Sequence, residues 1–217
     1  MNQLTFKFPF KTNYFKEDFY VSTNNFSAYK LIESWPMWSS RYINIFGPSG
    51  CGKTHLANIL RKKINSFSIN ASELNNNSLL LIKLKECLII DDYQNNIDEN
   101  LFYTLLNQCH QSNQYVIVNS LEPIKASMVE LNDLKSRFDS FIDIGIDLPT
   151  DDLIMVILTK NFSDKQVKVD SKLLEYILKN IHRSYKDIFD IINKVDSLSL
   201  STGKPININL IKKVLNK

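Results

Sequence analysis

Five short apolar runs, each bounded by polar or turn-forming residues, punctuate the first two thirds of the chain. They are Tyr42-Ile43-Asn44-Ile45-Phe46, Phe67-Ser68-Ile69-Asn70, Cys87-Leu88-Ile89-Ile90-Asp91-Asp92, Tyr115-Val116-Ile117-Val118 and Phe141 to Ile146. All five read as strands, and the first, third and fourth, apolar at nearly every position, read as buried ones. Between them the pattern switches to helical spacing: Thr54 to Ile64, Leu79 to Lys85, Asp98 to Gln111 with Leu101, Phe102, Leu105 and Leu106 on one face, and Leu131 to Phe138. Strands alternating with helices predict a five-stranded parallel sheet covered by helices, an α/β fold. From Pro149 onward only helices are predicted: Thr150 to Phe162, Asp170 to Ile181, Ser184 to Leu200 and Ile208 to Asn216. Ser184 with Asp187 forms a capping-box-like start, Ile188, Ile191, Ile192, Val195 and Leu198 supply an apolar stripe, and Gly203 marks the stop.

Upstream of the first strand, Tyr14 to Val21 and Phe26 to Ser34 are rich in aromatic residues, and Trp35-Pro36-Met37-Trp38 ends a helix with tryptophans suited to packing. The N-terminal residues Gln3-Leu4-Thr5-Phe6-Lys7-Phe8 alternate and stop at Pro9. Leu4, Phe6 and Phe8 therefore project to one side of an extended peptide, which either pairs with its own domain or docks on a partner.

Composition narrows the class. With 217 residues, 44% hydrophobic and 23% charged, the chain is an ordinary globular protein of one domain plus a smaller one. A net charge of +3, with the basic clusters Arg61-Lys62-Lys63 and Lys212-Lys213 short enough to be solvated helix faces, does not argue for direct sequence-specific DNA binding. Cys51, Cys87 and Cys109 lack paired spacing, so neither a disulfide framework nor a zinc site is expected. The sequence shows no run of membrane-spanning length and no basic region followed by an apolar stretch at its start. A cytoplasmic location is expected, with no membrane partner.

The candidate chemistry centres on Gly47-Pro48-Ser49-Gly50-Cys51-Gly52-Lys53-Thr54, which matches the phosphate-binding loop pattern at every fixed position and lies between a strand and a helix. Three of the five glycines are here, allowing the backbone to approach phosphate without a Cβ in the way. Lys53 is suited to neutralising the β and γ phosphates of ATP or ADP, and the Thr54 hydroxyl to holding Mg²⁺. The third strand ends in Asp91 and Asp92: after such a loop, Asp91 suits the Mg²⁺ hydration shell and Asp92 an attacking water, the alternative being two acids that cap the next helix. Asn119, at the end of the fourth strand, either hydrogen-bonds the γ-phosphate or attacking water or forms a turn. Phe19, Tyr20 and Val21 are either plain core or one wall of an adenine pocket.

In order, these features resemble the AAA+ ATPases and, within them, the DnaA/Hda family of bacterial replication proteins, over almost the whole chain. Asp18-Phe19-Tyr20-Val21 and Asn25 are similar to the family's first nucleotide box, Gly47 to Thr54 followed by His55-Leu56 to its phosphate loop, and Leu88-Ile89-Ile90-Asp91-Asp92 to its acidic strand. Asn119-Ser120 falls at the first sensor, and Leu134-Lys135-Ser136-Arg137-Phe138 resembles the segment carrying the arginine finger. That makes Arg137 the finger candidate against the plainer role of a surface salt bridge. At the second sensor, where the family has arginine, Ser184-Tyr185-Lys186-Asp187 offers Lys186, which keeps the charge without the two-pronged donor. The N-terminal hexapeptide resembles the peptide by which replication proteins bind the DNA polymerase III sliding clamp, implicating Gln3, Leu4, Phe6 and Phe8.

The resemblance implies an AAA+ P-loop fold with a small all-α lid: a clamp-binding tail over residues 1–11, an α/β nucleotide domain over 12–148 and a lid over 149–217. The chain ends at Lys217, after the lid, where initiators continue into a DNA-reading domain. It thus implies a clamp-bound negative regulator that promotes hydrolysis of DnaA-bound ATP, holds ADP or ATP with Mg²⁺, and has weak turnover of its own. A homo-oligomer is compatible with the family. The rival expectations are an autonomous ATPase such as a helicase loader, and a passive clamp adaptor that uses nucleotide only to stay folded.

Overall fold

The computed structural model describes residues 19–94 and 97–215. They divide into two compact units, residues 19–147 and 148–215.

The first unit contains α1 (Phe26–Glu33), β1 (Tyr42–Phe46), α2 (Lys53–Arg61), β2 (Ser66–Asn70), α3 (Ser78–Ile82), β3 (Cys87–Tyr93), α4 (Glu99–Gln111), β4 (Tyr115–Ser120), α5 (Asn132–Asp139) and β5 (Ile142–Gly145). The five strands form one sheet in the order β2-β3-β4-β1-β5, and every pairing is parallel. The parallel arrangement follows from the helix inserted between successive strands, and it buries β1, β3 and β4 on both faces. Ile43, Ile45, Leu88, Ile89, Ile90, Val116, Ile117 and Val118 are fully buried. On one face Phe102 of α4 and Phe138 of α5 stack around Tyr93, with ring centroids 5.2 and 5.9 Å from it, and Leu106, Leu134 and Phe141 complete the cluster.

The strand and helix types match the hydrophobic pattern, and the differences lie at element ends. α3 closes at Ile82 rather than running to Lys85, because the carbonyls of Ile82 and Lys85 are both taken by the Gln114 amide, at 2.7 and 2.6 Å. Its Leu80 and Leu81, and Leu84 just beyond it, stay exposed. α2 stops at Arg61, where the next two N–H groups reach back three residues to Ile59 and Leu60 instead of four. β4 continues through Asn119 and Ser120, two residues past the expected end. Trp35 and Trp38 do pack, edge-on to Tyr115 at 4.4 and 5.7 Å, and the Trp38 indole donates to the Leu31 carbonyl at 2.7 Å.

The second unit is α6 (Asp151–Asp164), α7 (Ser171–Asn180), α8 (Tyr185–Thr202) and α9 (Ile208–Val214). Each helix begins at a side-chain cap, with Thr150, Asp170, Ser184 and Asn207 accepting from first-turn N–H groups. Gly203 closes α8 with φ 62°. Ile154, Leu158 and Phe162 pack with Leu174, Ile177, Ile188, Ile192, Val195 and Ile211 into a core of their own. Such a core is what lets this small segment fold as a unit.

Candidate functional site

The phosphate loop is set by what precedes and follows it. β1 is buried and apolar, and the loop leaves its end with the Gly47 N–H donating to the Ser120 carbonyl of β4 at 3.2 Å. Gly47 and Gly52 cannot be replaced without strain. A Cβ on Gly47 would sit 2.5 Å from the Ile146 carbonyl oxygen, and one on Gly52, with φ at +102°, would sit 2.8 Å from the Phe19 ring. The loop therefore turns tightly and delivers the chain into α2, whose first-turn N–H groups have no acceptor upstream in the helix.

The charge placed there is unusual for a helix start. α2 opens with Lys53, Thr54 and His55 and carries no acid in its first turn, although the positive end of the helix dipole disfavours a cation. The Lys53 ammonium is accommodated by the carbonyls of Gly47 and Pro48 at 2.7 and 3.1 Å. An anion at this helix end would offset that repulsion and accept from the first-turn N–H groups, so the loop fits a phosphate on its own chemistry. Cys51 is buried within it; burial pushes the thiol up, with the Lys53 charge opposing.

Beside the loop, three side chains from three elements converge. Thr54 of α2 donates its hydroxyl to one Asp91 carboxylate oxygen at 2.7 Å, and the Asn119 amide of β4 donates to the other at 3.2 Å. The cause is a bulge. Ile90 pairs with Val118 but Tyr93 pairs with Ser120, so β3 carries one residue more than β4 at Asp91-Asp92, and Asp92 takes a left-handed φ of 56°. An extra residue re-aims the strand's side chains at its end. A hydroxyl and a carboxylate this close form a donor set suited to Mg²⁺ or its waters. The Asn119 Oδ1 is buried with no hydrogen-bond partner, an acceptor for which a ligand or water is the natural donor. Asp92 is exposed, and its N–H donates to Asp91 Oδ1 at 3.0 Å.

Phe19 lies over the loop, stacked on Tyr29 of α1 at 5.8 Å and edge-on to His55 of α2 at 5.3 Å. Tyr20 is 48% exposed and Val21 half-buried. The segment is fixed by Asn25, which takes the Ser22 N–H on Oδ1 at 2.9 Å and donates to the Tyr20 carbonyl at 3.0 Å. Ser49 and Gly50 are exposed, at the turn of the loop. These residues, with Lys53, Thr54, Asp91 and Asn119, form one contiguous region.

Arg137 is elsewhere. Its guanidinium donates to Asn107 Oδ1 of α4 at 2.6 Å, and its charge acts on the Tyr42 phenol, which burial raises first and Arg137 and Arg41 lower. His110, one turn beyond Asn107, stacks on Tyr42 at 6.4 Å. Tyr42 opens β1 and Gly47 follows its end, a separation of roughly 16 Å along a strand. Arg137 thus sits at the edge of the sheet opposite its own phosphate loop. α5 is held there at both ends, since the Glu99 carboxylate of α4 accepts from the Glu130 and Leu131 N–H groups at 3.0 and 2.7 Å. Lys186 is exposed on the first turn of α8 in the second unit. Gln3, Leu4, Phe6 and Phe8, like Asp18, lie outside the described residues.

Sequence reading missed Asn44, Asn107 and Glu99. A polar residue centred in the run Ile43-Asn44-Ile45 was the available signal for the first; nothing local marks the other two.

A parallel sheet of this strand order, with a phosphate loop after β1 and an acid at the end of β3, followed by an all-helical unit, defines an AAA+ P-loop protein. Comparison with known proteins refines this. Residues 151–215 match the family model described as Hda, lid domain, and residues 43–140 match a model described as RNA helicase. The chain is 27% identical over 245 aligned residues to the chromosomal replication initiator protein DnaA of Buchnera aphidicola subsp. Baizongia pistaciae, an alignment covering 100% of this chain and 53% of that protein. The chain therefore spans about half the length of the curated relatives it matches. Domain III of Thermotoga maritima DnaA superposes with a TM-score of 0.79 at 19% identity, covering 96% of this chain and 98% of that one. AMPPCP-bound DnaA from Aquifex aeolicus superposes at 0.69 and 20% identity, covering 86% and 66%. The chain is thus homologous to DnaA along its length, and its residues 151–215 are similar to the Hda lid domain.

Proposed function

We propose that this protein is a nucleotide-bound regulator of replication initiation, which docks on the DNA sliding clamp through Gln3, Leu4, Phe6 and Phe8 and promotes hydrolysis of ATP held by DnaA. The observation that carries this reading is the position of Arg137. A finger arginine acting on its own nucleotide would have to reach the phosphate loop, whereas Arg137 is anchored to Asn107 at the opposite edge of the sheet. From there it is suited to a nucleotide on a neighbouring molecule. A positive charge delivered in trans to the developing charge of the γ-phosphoryl is worth roughly 10³–10⁵ in rate. The match of residues 151–215 to the Hda lid model supports the same reading.

In this scheme the protein's own nucleotide is a switch. Gly47, Pro48, Ser49, Gly50, Cys51 and Gly52 wrap the phosphates with backbone, and Lys53 leaves the Gly47 and Pro48 carbonyls for phosphate oxygens. Thr54 and Asp91 would hold a Mg²⁺ ion, which supplies charge neutralisation between the β and γ phosphates. Asn119 donates toward the γ-phosphate, Asp92 accepts from the attacking water, and Phe19, Tyr20, Val21 and His55 flank the base and sugar. Lys186 serves as the lid's cation for phosphate. Lysine in place of a two-pronged arginine suits a protein that mostly holds ADP or ATP, with slow turnover.

The test is conversion of DnaA-bound ATP to ADP in the presence of clamp loaded on DNA, with and without this protein. The expected result is a clamp-dependent acceleration, lost when Gln3 and Phe8 are changed to Ala and lost separately in Arg137→Ala. No acceleration with clamp binding intact would leave a passive adaptor. Rapid ATP turnover by the protein alone, unaffected by the tail variant, would instead make it a helicase-loader-like ATPase.

A further inference from the structure

We infer that Asn44, buried at the centre of β1, is a positioning residue that holds Asn119 in the geometry by which the site distinguishes a nucleoside triphosphate from a diphosphate. The inference rests on the reading of Asn119 as the γ-phosphate donor and adds the group that aims it.

Asn44 is fully buried between Ile43 and Ile45, where an amide is unfavourable unless its polar atoms are satisfied. All three capacities it uses go to one place. Its Nδ2 donates to the Val118 carbonyl at 2.9 Å and to the Ser120 hydroxyl at 2.8 Å, and its Oδ1 accepts from the Ile124 N–H at 3.0 Å. Val118 and Ser120 are the residues on either side of Asn119. Ser120 then passes the constraint on: its hydroxyl donates to the Glu122 carbonyl at 2.6 Å, and its carbonyl accepts from the Gly47 N–H. A single side chain therefore ties together the backbone flanking Asn119, the turn after β4 and the first residue of the phosphate loop.

Asn119 needs such support. Its side chain makes one hydrogen bond, to Asp91 at 3.2 Å, and its Oδ1 has no partner. On the other side of β4 the bulge between Ile90 and Tyr93 leaves Asn119 without a register partner on β3, although Tyr93 pairs with Ser120 beyond it. At Asn119 itself the ladder partner is Ile45 of β1, and the Asn44 side chain adds its own restraint to that ladder. The aim of the Asn119 amide is then a property of the Asn44 clamp, whereas the loop meets the clamp only through the Ser120 backbone carbonyl, a hydrogen bond that neither Asn44→Val nor Ser120→Ala removes, and Lys53 is held by the loop's own carbonyls.

The experiment measures equilibrium affinities of the full chain for ADP and for the non-hydrolysable triphosphate AMPPCP, each with Mg²⁺, together with thermal unfolding. The variants are Asn44→Val, Ser120→Ala, Ser120→Thr and Asn119→Ala. Asn44→Val and Ser120→Ala are expected to keep ADP affinity within about twofold and to lose AMPPCP affinity by roughly three- to tenfold, the scale of one or two neutral hydrogen bonds. Ser120→Thr, which retains the hydroxyl, restores the preference. The Asn44→Val, Ser120→Ala double variant matches Asn44→Val alone, since both act along one path. Equal losses for both nucleotides, or an unchanged preference in Ser120→Ala while Asn119→Ala abolishes it, would overturn the role of Asn44 and leave the role of Asn119 standing. An unchanged preference in Asn119→Ala would overturn both. Should Asn44→Val fail to fold, the serine pair carries the test by itself.

Discussion

Replacing Gly52 by alanine separates two costs that the structure assigns to different causes. The first is backbone strain: at φ +102° an L-residue is held far from its allowed regions, which costs about 1–3 kcal/mol. About 0.4–1 kcal/mol of that is returned, because alanine narrows the unfolded ensemble. The second cost is steric. The new Cβ would lie 2.8 Å from the Phe19 ring, and forcing an extra carbon into such a contact costs about 1–3 kcal/mol. Gly52→Ala should therefore destabilise the α/β unit by about 1–5 kcal/mol, while in a Phe19→Leu background only the backbone part persists. Phe19→Leu alone gives up the stacking on Tyr29 and the edge contact with His55, about 0.5–1.5 kcal/mol for each aromatic contact. The quantity to measure is the coupling in the double-mutant cycle, expected at about 1–3 kcal/mol in the direction of relief. Urea unfolding followed by tryptophan fluorescence is the assay, since both tryptophans, Trp35 and Trp38, belong to the α/β unit and report its unfolding selectively. Coupling below about 0.5 kcal/mol, the usual limit of additivity, would refute the claim that Phe19 and the phosphate loop are in direct contact. The same pair should lower ADP affinity together if the contact shapes the nucleotide site.

Two further outcomes follow from burial. Asp143 of β5 has one carboxylate oxygen buried with no hydrogen-bond partner, and desolvation raises its pKa, with Lys125 partly opposing. The folded state then binds the extra proton in the window above the unfolded value of about 4, so this group contributes less stability as pH rises through that window. Asp143→Asn should raise the melting temperature at pH 7, with the gain vanishing near pH 3; equal melting temperatures at pH 7 would refute it. The thiols of Cys87 and Cys109 are fully buried and both pushed up by burial, Cys109 to about 12. Because the thiolate is the reactive form, both should resist alkylation at pH 8 until the protein is unfolded in urea, as followed by mass spectrometry.

What the sequence made legible tracks how locally each feature is determined. The alternation of five short runs with helical stretches carries the parallel sheet, most plainly at β1, β3 and β4, where two-sided burial leaves its imprint on nearly every residue. The phosphate loop and the acid at the end of β3 were equally plain, since glycine, lysine and carboxylate are required there by contacts within a few residues. Asn44 was not recognised because its meaning depends on Val118, Ser120 and Ile124, more than seventy residues away. The bulge at Asp91-Asp92 depends on register against β4, which no single strand encodes. The end of α3 was misjudged for a similar reason, as the group that terminates it, Gln114, arrives from the loop before β4.

The position of Arg137 is what makes the proposed mechanism one between molecules. In a parallel sheet, each helix starts near the end where the preceding strand delivers its ligand residues and runs back to the opposite edge. α4 begins beside its Asp98 cap, soon after Asp91, and returns until His110 meets Tyr42 at the start of β1. Its thirteen residues cover about 20 Å, more than an arginine side chain can span. A residue that α4 anchors on its later turns, as Asn107 anchors Arg137, is therefore carried away from its own nucleotide by the geometry that places Asp91 next to it. Moving Arg137 into its own site would require α5 to leave both Glu99 and Asn107 and uncover Leu134 and Phe138. Burying those two side chains stabilises the fold by about 1.5–3 kcal/mol each, so exposing them is costly. Bringing a second molecule's nucleotide to the edge where Arg137 already stands breaks at most the Asn107 hydrogen bond, worth about 1.5–3 kcal/mol for a charged donor. The cheaper route is intermolecular, and it is the one on which the proposed stimulation of a partner's ATP hydrolysis depends.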